Sequence, residues 1–349
     1  MTPNNTSSEL RIFTGNSHRA LGENICKYLG VDPGKIAFNR FSCGEIYARV
    51  EESIRGHDVF IIQTCSTYSL NEDLMELFII LDSMKRASAA SINVIMPYYG
   101  YARQDKKSAP REPISARLVA DLLQTCGIDR IVTIDLHADQ IQGYFNVPVD
   151  HLTALPLFVE YFKNKQLKDL TVVAPDTGRA KAAKKLADRL GADLAIMHKT
   201  RPEHNNVEIM NIIGDVENRT LILFDDMVDT SRSVVQGMKA LRKANPAQDM
   251  YLAATHAVFS GPAYDLLGSA GFKEIVVTDT IPLSDTHKLD NLVVLSAAPL
   301  LAESIQRNYN HLSISELFDD DVIPIKRSEQ KKTLETPFEA QKVRQIINV

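Results

Sequence analysis

Short apolar runs that alternate with amphipathic helical patterns dominate this 349-residue sequence. Most of the runs are separated by a segment whose apolar residues recur at helical spacing. A strand, a helix and a second strand in this order form a right-handed crossover, which makes the two strands parallel. The pattern therefore predicts an α/β fold with mostly parallel sheets. The predicted strands are 59–64, 92–98, 130–135, 171–174, 194–197, 221–225, 251–255, 274–279 and 292–296.

The helical patterns and two similar strand ends indicate how the chain is organised. RIVTIDLH at 130–137 and LILFDDMVDT at 221–230 are both apolar runs that end in acids. This similarity suggests a duplicated α/β domain with a boundary near residues 150–155. Residues 36–50 instead favour a hairpin or bulged strands. The predicted helices are 72–88, 114–125, 154–164, 180–190, 233–243 and 298–308.

Charge and cysteine usage narrow the class of protein. The net charge is −5 and the pI is about 6.0, which argues against a nucleic-acid surface because such surfaces are basic. The four cysteines form no CxxC pair, which is typical of a reducing compartment. The first ten residues lack the pattern of a secretory signal, and no apolar run approaches the ~20 residues of a membrane helix. We therefore expect a cytoplasmic protein with no membrane contact.

The densest group of polar residues follows the apolar run at 221–224. Asp225, Asp226 and Asp229 lie where a parallel strand would end, which is where open α/β sheets bind ligands. The following turn leads into a helix, whose first N–H groups attract anions. Adjacent strand residues point to opposite faces, so Asp225 and Asp226 are expected to have different partners. The group predicts a site for a phosphorylated sugar and its metal, although a solvated strand–helix turn is the simpler alternative.

Four further segments with polar or charged residues follow predicted strands. Each has a structural alternative when it is taken alone, because cations are often solvated and a single histidine is usually structural. At one edge of a sheet, however, cations would hold phosphate and acids would hold Mg²⁺. The four segments are YYGYARQDKK at 98–107, DLHADQ at 135–140, APDTGR at 174–179 and HKTR at 198–201.

The motifs of common nucleotide-binding and hydrolytic enzymes are absent. The sequence contains no GxxxxGK[ST] and no GxGxxG after a strand, so a P-loop or a dinucleotide fingerprint does not hold phosphate here. It contains no GxSxG, and it has no HExxH or Cys/His cluster for zinc. Any nucleotide must therefore bind through a different set of residues.

Taken together, these segments resemble the ribose-phosphate diphosphokinase family, also called phosphoribosyl diphosphate synthases. The resemblance covers about residues 10–320 and is collinear. The matching segments are FTGNSH, RFSCGE, ESIRGHDVFIIQ, NEDLMEL, MPYYGYARQDKK, REPISA, DLHADQIQGYFNVPVDHL, HKTRP, DDMVDT, THAVFSGPA, DTIPL and SISELF.

The resemblance implies a fold, a reaction and an assembly. It implies two tandem phosphoribosyltransferase-like domains at 10–152 and 153–310, a segment at 311–322 that returns to the N-terminal domain, and a polar tail at 323–349. The implied reaction transfers the diphosphoryl group of ATP to the C1 hydroxyl of ribose 5-phosphate, giving 5-phosphoribosyl 1-diphosphate and AMP. Mg²⁺ is the implied cofactor. The implied assembly is a homo-oligomer of dimers that form a hexamer, with ADP and phosphate as effectors.

The resemblance also implies roles for residues that match the family's motifs. Ribose 5-phosphate would be held by Asp225, Asp226, Asp229, Thr230, Ser231, Arg232 and Ser233. The diphosphate loop would be Asp176, Thr177, Gly178 and Arg179, and Mg²⁺ would be held by His137 and Asp176. ATP would be bound by Phe41, Glu45, Arg103, Gln104 and His137, with Lys199 and Arg201 as catalytic cations. The allosteric residues would be Ser53, Arg55, Ser313, Ser315 and Phe318.

Two departures from the family's pattern leave alternatives open. Arg232 and Arg179 stand where the family's phosphate-binding turns often have glycine. Glycine lets the backbone approach a phosphate closely, whereas each of these turns has an arginine side chain instead. One alternative is therefore a non-catalytic regulatory paralogue that assembles with an active subunit. A nucleobase phosphoribosyltransferase is disfavoured, because the chain is twice as long as one such domain requires and contains the RQDKK and HKTRP segments.

Overall fold

Two helix-covered sheets, built by successive parts of the sequence, form the frame of the protein. The structure is a computed structural model that describes residues 9–200, 209–245, 248–284 and 286–318. Within these ranges, each helix is too short or too polar to span a bilayer.

The first sheet has five strands that are all parallel, in the order β1-β4-β5-β6-β7. An antiparallel hairpin of β2 and β3 lies outside this sheet, as residues 36–50 predict. The strands are β1 (Leu10–Thr14), β2 (Ile36–Arg40), β3 (Ile46–Val50), β4 (Asp58–Ile62), β5 (Ser91–Ile95), β6 (Arg130–Ile134) and β7 (Val149–Leu152). The helices of this part are α1 (Arg19–Leu29), α2 (Leu70–Arg86) and α3 (Ser115–Cys126), and a 3₁₀ segment covers Asp139–Tyr144.

The second sheet has seven strands in the order β10-β9-β8-β11-β12-β13-β14. All are parallel except β10, which is antiparallel to β9. The strands are β8 (Leu170–Ala174), β9 (Asp193–Thr200), β10 (Ile209–Ile213), β11 (Thr220–Val228), β12 (Met250–Ala257), β13 (Glu274–Thr278) and β14 (Leu292–Leu295). The helices are α4 (Leu155–Lys165), α5 (Ala180–Leu190), α6 (Arg232–Ala244), α7 (Ala263–Ala270) and α8 (Ala298–Tyr309), followed by a 3₁₀ segment at Ser315–Phe318.

The predicted fold class, α/β with mostly parallel sheets, is confirmed. Each of the predicted strands and helices corresponds to an element of the structure. The elements that were not predicted include α1, α7 and three strands at sheet edges, β1, β7 and β10. Edge strands are partly exposed and therefore lack the continuous apolar run that marks a buried parallel strand.

The two sheets are joined by a common core and by buried hydrogen bonds. Helix α1 packs against α8, and Leu21 and Ile25 belong to the same apolar cluster as Leu301. Thr64 after β4 donates through Oγ1 to the carbonyl oxygen of Thr280 after β13, at 2.8 Å. Because side chains from both parts exclude water together, these contacts hold the carboxyl ends of the two sets of strands near each other.

Candidate active site

Segments from the carboxyl ends of both sheets meet in one place. The loop after β6 contains His137, whose Nδ1 lies 2.8 Å from Oδ2 of Asp226 in β11. The loop after β5 contains Arg103, whose Nη1 lies 2.6 Å from Oδ2 of Asp229. The turn after β8 contributes Arg179, whose Nη2 lies 2.7 Å from Asp226 Oδ2. The structure thus brings together four of the polar strand ends that the sequence identifies.

Strand β11 is longer than the sequence predicts. The predicted strand ended at residue 225, whereas β11 continues to Val228, so Asp225 and Asp226 lie within it. The extension is stabilised by β12, because Met227 pairs with His256 and Val228 with Ala257. The consequence is burial, since a strand paired this far presents its acids to the interior rather than to solvent.

Asp225 and Asp226 share one cationic partner in the structure. Arg179 reaches both, with Nη2 at 2.7 Å from Asp226 Oδ2 and Nε at 3.6 Å from Asp225 Oδ1. The Arg179 side chain is 18% exposed and that of Asp226 is 4% exposed. Arg179 Nη2 also donates to the carbonyl oxygen of His137, at 2.9 Å. One guanidinium therefore neutralises both acids and connects them to the loop after β6, which is possible because its donors form a rigid fork.

Burial and local charge move the two carboxyl pKa values apart. Burial raises the pKa of Asp225 well above its usual range, and the neighbouring charge of Asp226 raises it further. Burial also raises the pKa of Asp226, but the His137 hydrogen bond and the Arg179 charge outweigh it, and the net pKa is lowered. Asp226 is therefore the ionised partner of the pair, and the ionised form of Asp225 destabilises the fold.

Substitution of Asp225 by asparagine is expected to stabilise the folded protein. A group whose pKa is raised in the folded state stabilises the fold below its unfolded-state pKa and loses that contribution as the pH rises through the folded value. At pH 8 the parent protein bears the cost of a buried, ionised Asp225. Asp225→Asn removes that cost, so the free energy of unfolding should rise by about 1–2 kcal/mol. Chemical denaturation at pH 8 and pH 4 measures this change, which should be absent at pH 4. A loss of stability at pH 8 would contradict the expected direction.

His137 and Asp176 are fixed by neighbouring groups. The Nδ1 atom of His137 lies 2.8 Å from Asp226 Oδ2 and 3.1 Å from Arg179 Nη2, so the ring is held between an acid and a cation. Asp176 Oδ1 accepts from the backbone N–H of Arg179 at 3.0 Å, which shapes the exposed turn of Asp176, Thr177 and Gly178 before α5.

These donors fit a magnesium ion that binds together with substrate. Within the described ranges, no three His, Cys, Asp or Glu side chains form a group that could hold a metal ion. Mg²⁺ usually takes one or two protein carboxylates and completes its shell with water and substrate phosphates. An arrangement in which Asp176 offers a carboxylate therefore suits Mg²⁺ better than a metal that requires a complete protein cage.

The turn after β11 has the features of an anion site. Ser231 adopts the left-handed conformation, with φ of 64°, and its side-chain oxygen is buried without a hydrogen-bond partner among the described residues. It is the N-cap of the 13-residue helix α6, where unpaired backbone N–H groups favour an anion. Thr230 is half-buried, and Arg232 and Ser233 are exposed.

Arg232 does not occupy the backbone position that requires glycine. The left-handed residue of this turn is Ser231, whereas Arg232 is the first residue of helix α6. The first position of a helix is compatible with any side chain, so the conformation of this turn does not require glycine at residue 232. The guanidinium is exposed beside the turn, where it adds positive charge to the site.

Arg103 and Gln104 line a polar cleft beside the turn. Asp229 accepts from Arg103 and from the hydroxyl of Ser260, and Gln104 Oε1 accepts from Ser115 Oγ at 2.6 Å. The cleft has a volume of about 510 Å³, which suits a small ligand. Its lining includes Thr67, Tyr98, Tyr101, Arg103 and Gln104.

Other predicted site residues lie on the surface or outside the described residues. Phe41, which is 50% exposed, and Glu45 lie on the turn between β2 and β3. No hydrogen bond or ion pair within the described residues joins the exposed Ser53 and Arg55 to the exposed Ser313 and Ser315. Lys199 and Phe318 are described through their backbones alone, in β9 and in the final 3₁₀ segment. Arg201 and the tail at 323–349 lie outside the described residues.

Sequence reasoning missed two kinds of residue at this site. The bridging role of Arg179 depends on a contact with β11, more than 40 residues away in sequence. The second kind is the buried pair Thr255 and His256, each 1% exposed. A signal for this pair was present, because two polar residues interrupt the otherwise apolar run of β12.

Comparison with known proteins gives consistent similarities along the chain. Residues 10–127 match the family model described as the N-terminal domain of ribose phosphate pyrophosphokinase. Residues 203–319 match the model of the phosphoribosyl synthetase-associated domain. Ribose-phosphate pyrophosphokinase from Bacillus caldolyticus is 50% identical over 311 residues, which cover 89% of this chain and 98% of that protein. The Corynebacterium ammoniagenes protein of the same name is 49% identical over 313 residues, covering 90% of this chain and 98% of that protein.

A solved structure shares both the fold and the sequence pattern. The crystal structure of phosphoribosylpyrophosphate synthetase from Mycobacterium smegmatis superposes with a TM-score of 0.82 at 44% identity. The match covers 87% of this chain and all of that chain, 100%. The similarity therefore extends over both sheets and over the site between them.

Proposed function

Because this chain belongs to the ribose-phosphate pyrophosphokinase family, we propose how its site carries out that family's reaction. The protein transfers the diphosphoryl group of ATP to the C1 hydroxyl of ribose 5-phosphate, and the products are 5-phosphoribosyl 1-diphosphate and AMP. Nothing in the comparisons favours a non-catalytic paralogue.

Ribose 5-phosphate is proposed to bind at the end of β11 and the turn that follows. The observation that carries this assignment is the buried hydroxyl of Ser231 at the N-cap of α6, which has no hydrogen-bond partner in the described part of the chain. A phosphate there would accept from this hydroxyl and from the first backbone N–H groups of the helix. Asp225 and Asp226 would then accept from the ribose hydroxyls, and Asp229 and Thr230 would border the sugar.

ATP is proposed to bind in the cleft that contains Arg103 and Gln104. Arg103 is held by Asp229, so the cation that would grip the ATP phosphates contacts the turn that would hold the ribose. Phe41 and Glu45 are proposed to meet the adenine of an ATP in a neighbouring subunit, because Phe41 presents an exposed ring on the hairpin.

Mg²⁺ is the proposed cofactor, held by Asp176 and His137 together with substrate phosphates. When bound, it would neutralise phosphate charge during the transfer. The turn from Asp176 to Arg179 is proposed to hold the transferred diphosphate.

The transfer requires positioning and charge neutralisation more than a covalent nucleophile. The oxygen of the C1 hydroxyl forms a bond to the β-phosphorus, and the bond from that phosphorus to the oxygen that bridges to the α-phosphorus breaks. The bridging oxygen leaves with AMP, and the hydroxyl proton passes to solvent. The protein's part is to orient the sugar through Asp225 and Asp226 and to supply cations around the phosphates. Lys199 and Arg201 are proposed to stabilise the charge that develops during transfer.

We also propose a cytoplasmic homo-oligomer in which dimers assemble to a hexamer. ADP and phosphate are proposed effectors at Ser53, Arg55, Ser313, Ser315 and Phe318. The domain bounds 10–152 and 153–310, with a returning segment at 311–322, are proposed in the same way.

A direct assay tests the function. The purified protein is incubated with ribose 5-phosphate, Mg-ATP and phosphate, and AMP and 5-phosphoribosyl 1-diphosphate are measured by chromatography. Equal amounts of both products are expected. Absence of AMP above background at several Mg²⁺ concentrations would contradict the activity, and tight binding of ribose 5-phosphate by calorimetry in that case would favour the non-catalytic paralogue.

Arg232→Gly is expected to weaken binding of ribose 5-phosphate. The substitution removes an exposed cation beside the proposed phosphate turn, so the KM for ribose 5-phosphate should rise about 3- to 10-fold, since a charge-assisted contact contributes about 1 kcal/mol. The rise should be smaller at high salt. Arg232→Lys, which keeps the charge, is the matched control. A lower KM for Arg232→Gly would show that the arginine obstructs the site.

A further inference from the structure

The residue that follows β6 has a backbone conformation that requires support from outside. Asp135 has φ of 39°, in the left-handed region that is uncommon for residues with a Cβ. Such residues persist where the surrounding structure determines their conformation. Asp135 precedes His137 by two residues, so its conformation sets the direction in which the chain presents His137 to Asp226.

Strand β12 of the second sheet supplies this support. Thr255 donates through Oγ1 to Asp135 Oδ2 at 2.6 Å. The Nε2 atom of His256 lies 3.0 Å from the carbonyl oxygen of Ile134 and 3.3 Å from that of Asp135. Thr255 and His256 are each 1% exposed. The contacts therefore connect the two sheets in the interior, where water does not compete for the hydrogen bonds.

The chemistry of its neighbours defines the tautomer of His256. Both groups facing Nε2 are carbonyl oxygens, which only accept, so Nε2 bears the proton. The Nδ1 atom lies 2.9 Å from Thr280 Oγ1 and accepts from that hydroxyl. Burial lowers the pKa of His256, with the nearby Asp135 charge acting in the opposite direction. Both ring nitrogens are thus occupied, which leaves neither free to bind substrate.

Other contacts complete the support of this loop. The backbone N–H of Asp135 donates to the carbonyl oxygen of Leu152 at 2.9 Å, and the N–H of Leu136 donates to His151 Nε2 at 2.8 Å. These bonds come from the same part of the chain as the loop. The contacts from β12 differ because they fix the loop relative to β11, the strand that holds Asp226.

We infer that His256 and Thr255 are positioning residues, which hold the turn at Asp135 so that His137 reaches Asp226. His256 acts by donating from Nε2 to the carbonyls at the end of β6, and Thr255 acts by donating to the Asp135 carboxylate. Both ring nitrogens of His256 are engaged by the protein, and both side chains are 1% exposed. The consequence for the reaction rests on the proposed function, whereas the consequence for the loop does not.

Two amide substitutions test the role of His256. The amide nitrogen of glutamine can take the place of Nε2 and keep the donor to Ile134, whereas the shorter asparagine reaches only the place of Nδ1. We expect His256→Asn to lower kcat about 10- to 100-fold with a smaller change in either KM, as positioning losses do. His256→Gln should retain kcat within about 3-fold of the parent. Equal losses in the two variants would overturn the inference.

Hydrogen exchange tests the loop itself, independently of activity. His256→Asn should accelerate exchange of the backbone amides at 135–137 about 10-fold or more, since it removes the hydrogen bond from Nε2 that limits local opening of this loop. His256→Gln should leave their exchange near that of the parent. Unchanged exchange at 135–137 in His256→Asn would overturn the inference. If the parent protein makes no AMP, the proposed function fails while this comparison still decides the positioning role.

Substitutions of Thr255 offer a second pair of variants if a variant of His256 does not fold. Thr255→Val keeps the side-chain shape but removes the donor to Asp135, and Thr255→Ser keeps the hydroxyl. Faster exchange at 135–137 in Thr255→Val alone is the expected result. Equal exchange in Thr255→Val and Thr255→Ser would contradict the role of this hydroxyl.

Discussion

Replacement of Arg179 by alanine is expected to lower the free energy of unfolding by about 3–5 kcal/mol at pH 8 and by less at pH 5, because it leaves buried charges uncompensated. Arg179 is the cation shared by Asp225 and Asp226, at 3.6 and 2.7 Å. Without it, the adjacent carboxylates repel each other, and protonation of one becomes the way to relieve that repulsion.

The direction of the pH dependence follows from linkage. Loss of the cation removes a group that lowers both carboxyl pKa values, so the folded-state pKa of each acid rises. Groups shifted in this direction stabilise the fold below the unfolded-state pKa, near 4 for aspartate, and lose that contribution as pH rises through the folded value. The stability of Arg179→Ala relative to the parent should therefore fall steadily from pH 5 to pH 8.

Chemical denaturation of the parent and variant at pH 5 and pH 8 measures this difference. Lys184→Ala is the matched control, because Lys184 lies on the same helix α5 with its side chain 55% exposed. It should change stability by less than about 0.5 kcal/mol. The double variant Arg179→Ala/Asp225→Asn should recover part of the loss at pH 8, since Asp226 then no longer faces a second carboxylate. A loss that is equal at both pH values would contradict the account.

Replacement of Lys199 by alanine is expected to lower turnover by at least about 10²-fold, with a modest change in either KM, as loss of one transition-state charge contact should. The expectation comes from the sequence and from the position of the backbone. Lys199 lies near the carboxyl end of β9, which neighbours β8 and its turn at 176–179. We propose that a cation at this strand end meets the charge that develops between the two substrates.

Steady-state kinetics with both substrates varied separates the two parameters. A cation that acts in the transition state affects kcat, whereas one that binds ground state and transition state equally affects KM alone. Lys184→Ala again serves as the control, because it removes a lysine from the solvent-facing side of α5. Turnover equal to that of the parent would refute the role of Lys199, and a pure rise in KM would assign it to substrate binding.

Arg179 illustrates how a family pattern and a physical arrangement differ. The sequence marks it as a side chain in place of a glycine, which suggested an impaired anion turn. In the structure its guanidinium lies against Asp225, Asp226 and the carbonyl of His137. This cation balances the acids proposed to receive the ribose hydroxyls. Ligand binding must therefore either accommodate the guanidinium or displace it.

The order of the helices and buried strands could be read from the sequence because it depends on local periodicity. A run such as LILF at 221–224 is apolar on both faces, and this composition is stable only inside a covered parallel sheet. The hairpin at 36–50 and the helix at 180–190 were identified for the same reason, since each pattern repeats within a few residues. Edge strands such as β7 are not predicted, because a half-exposed strand lacks the continuous apolar run of a buried one.

The composition of the site was also visible in the sequence, because polar groups at the carboxyl ends of parallel strands share one edge of the sheet. Asp226, His137 and Arg103 were identified on that basis together with the family resemblance. Their partners were not, because His137 meets Asp226 across 89 residues and Arg103 meets Asp229 across 126. No local pattern reports such contacts, which depend on how the two sheets pack together.

The sequence by itself determined the α/β class, the order of most elements, the family and the residue types available for diphosphoryl transfer. These features depend on short-range periodicity and on motifs that are contiguous in the chain. Only the tertiary structure decided that β11 continues to Val228, that Ser231 adopts the left-handed turn conformation, that Arg179 serves both acids, and that β12 supports the turn at Asp135. The physical reason is that burial, pairing and charge balance arise from contacts between distant segments, whose energies exist only once the two sheets are packed together.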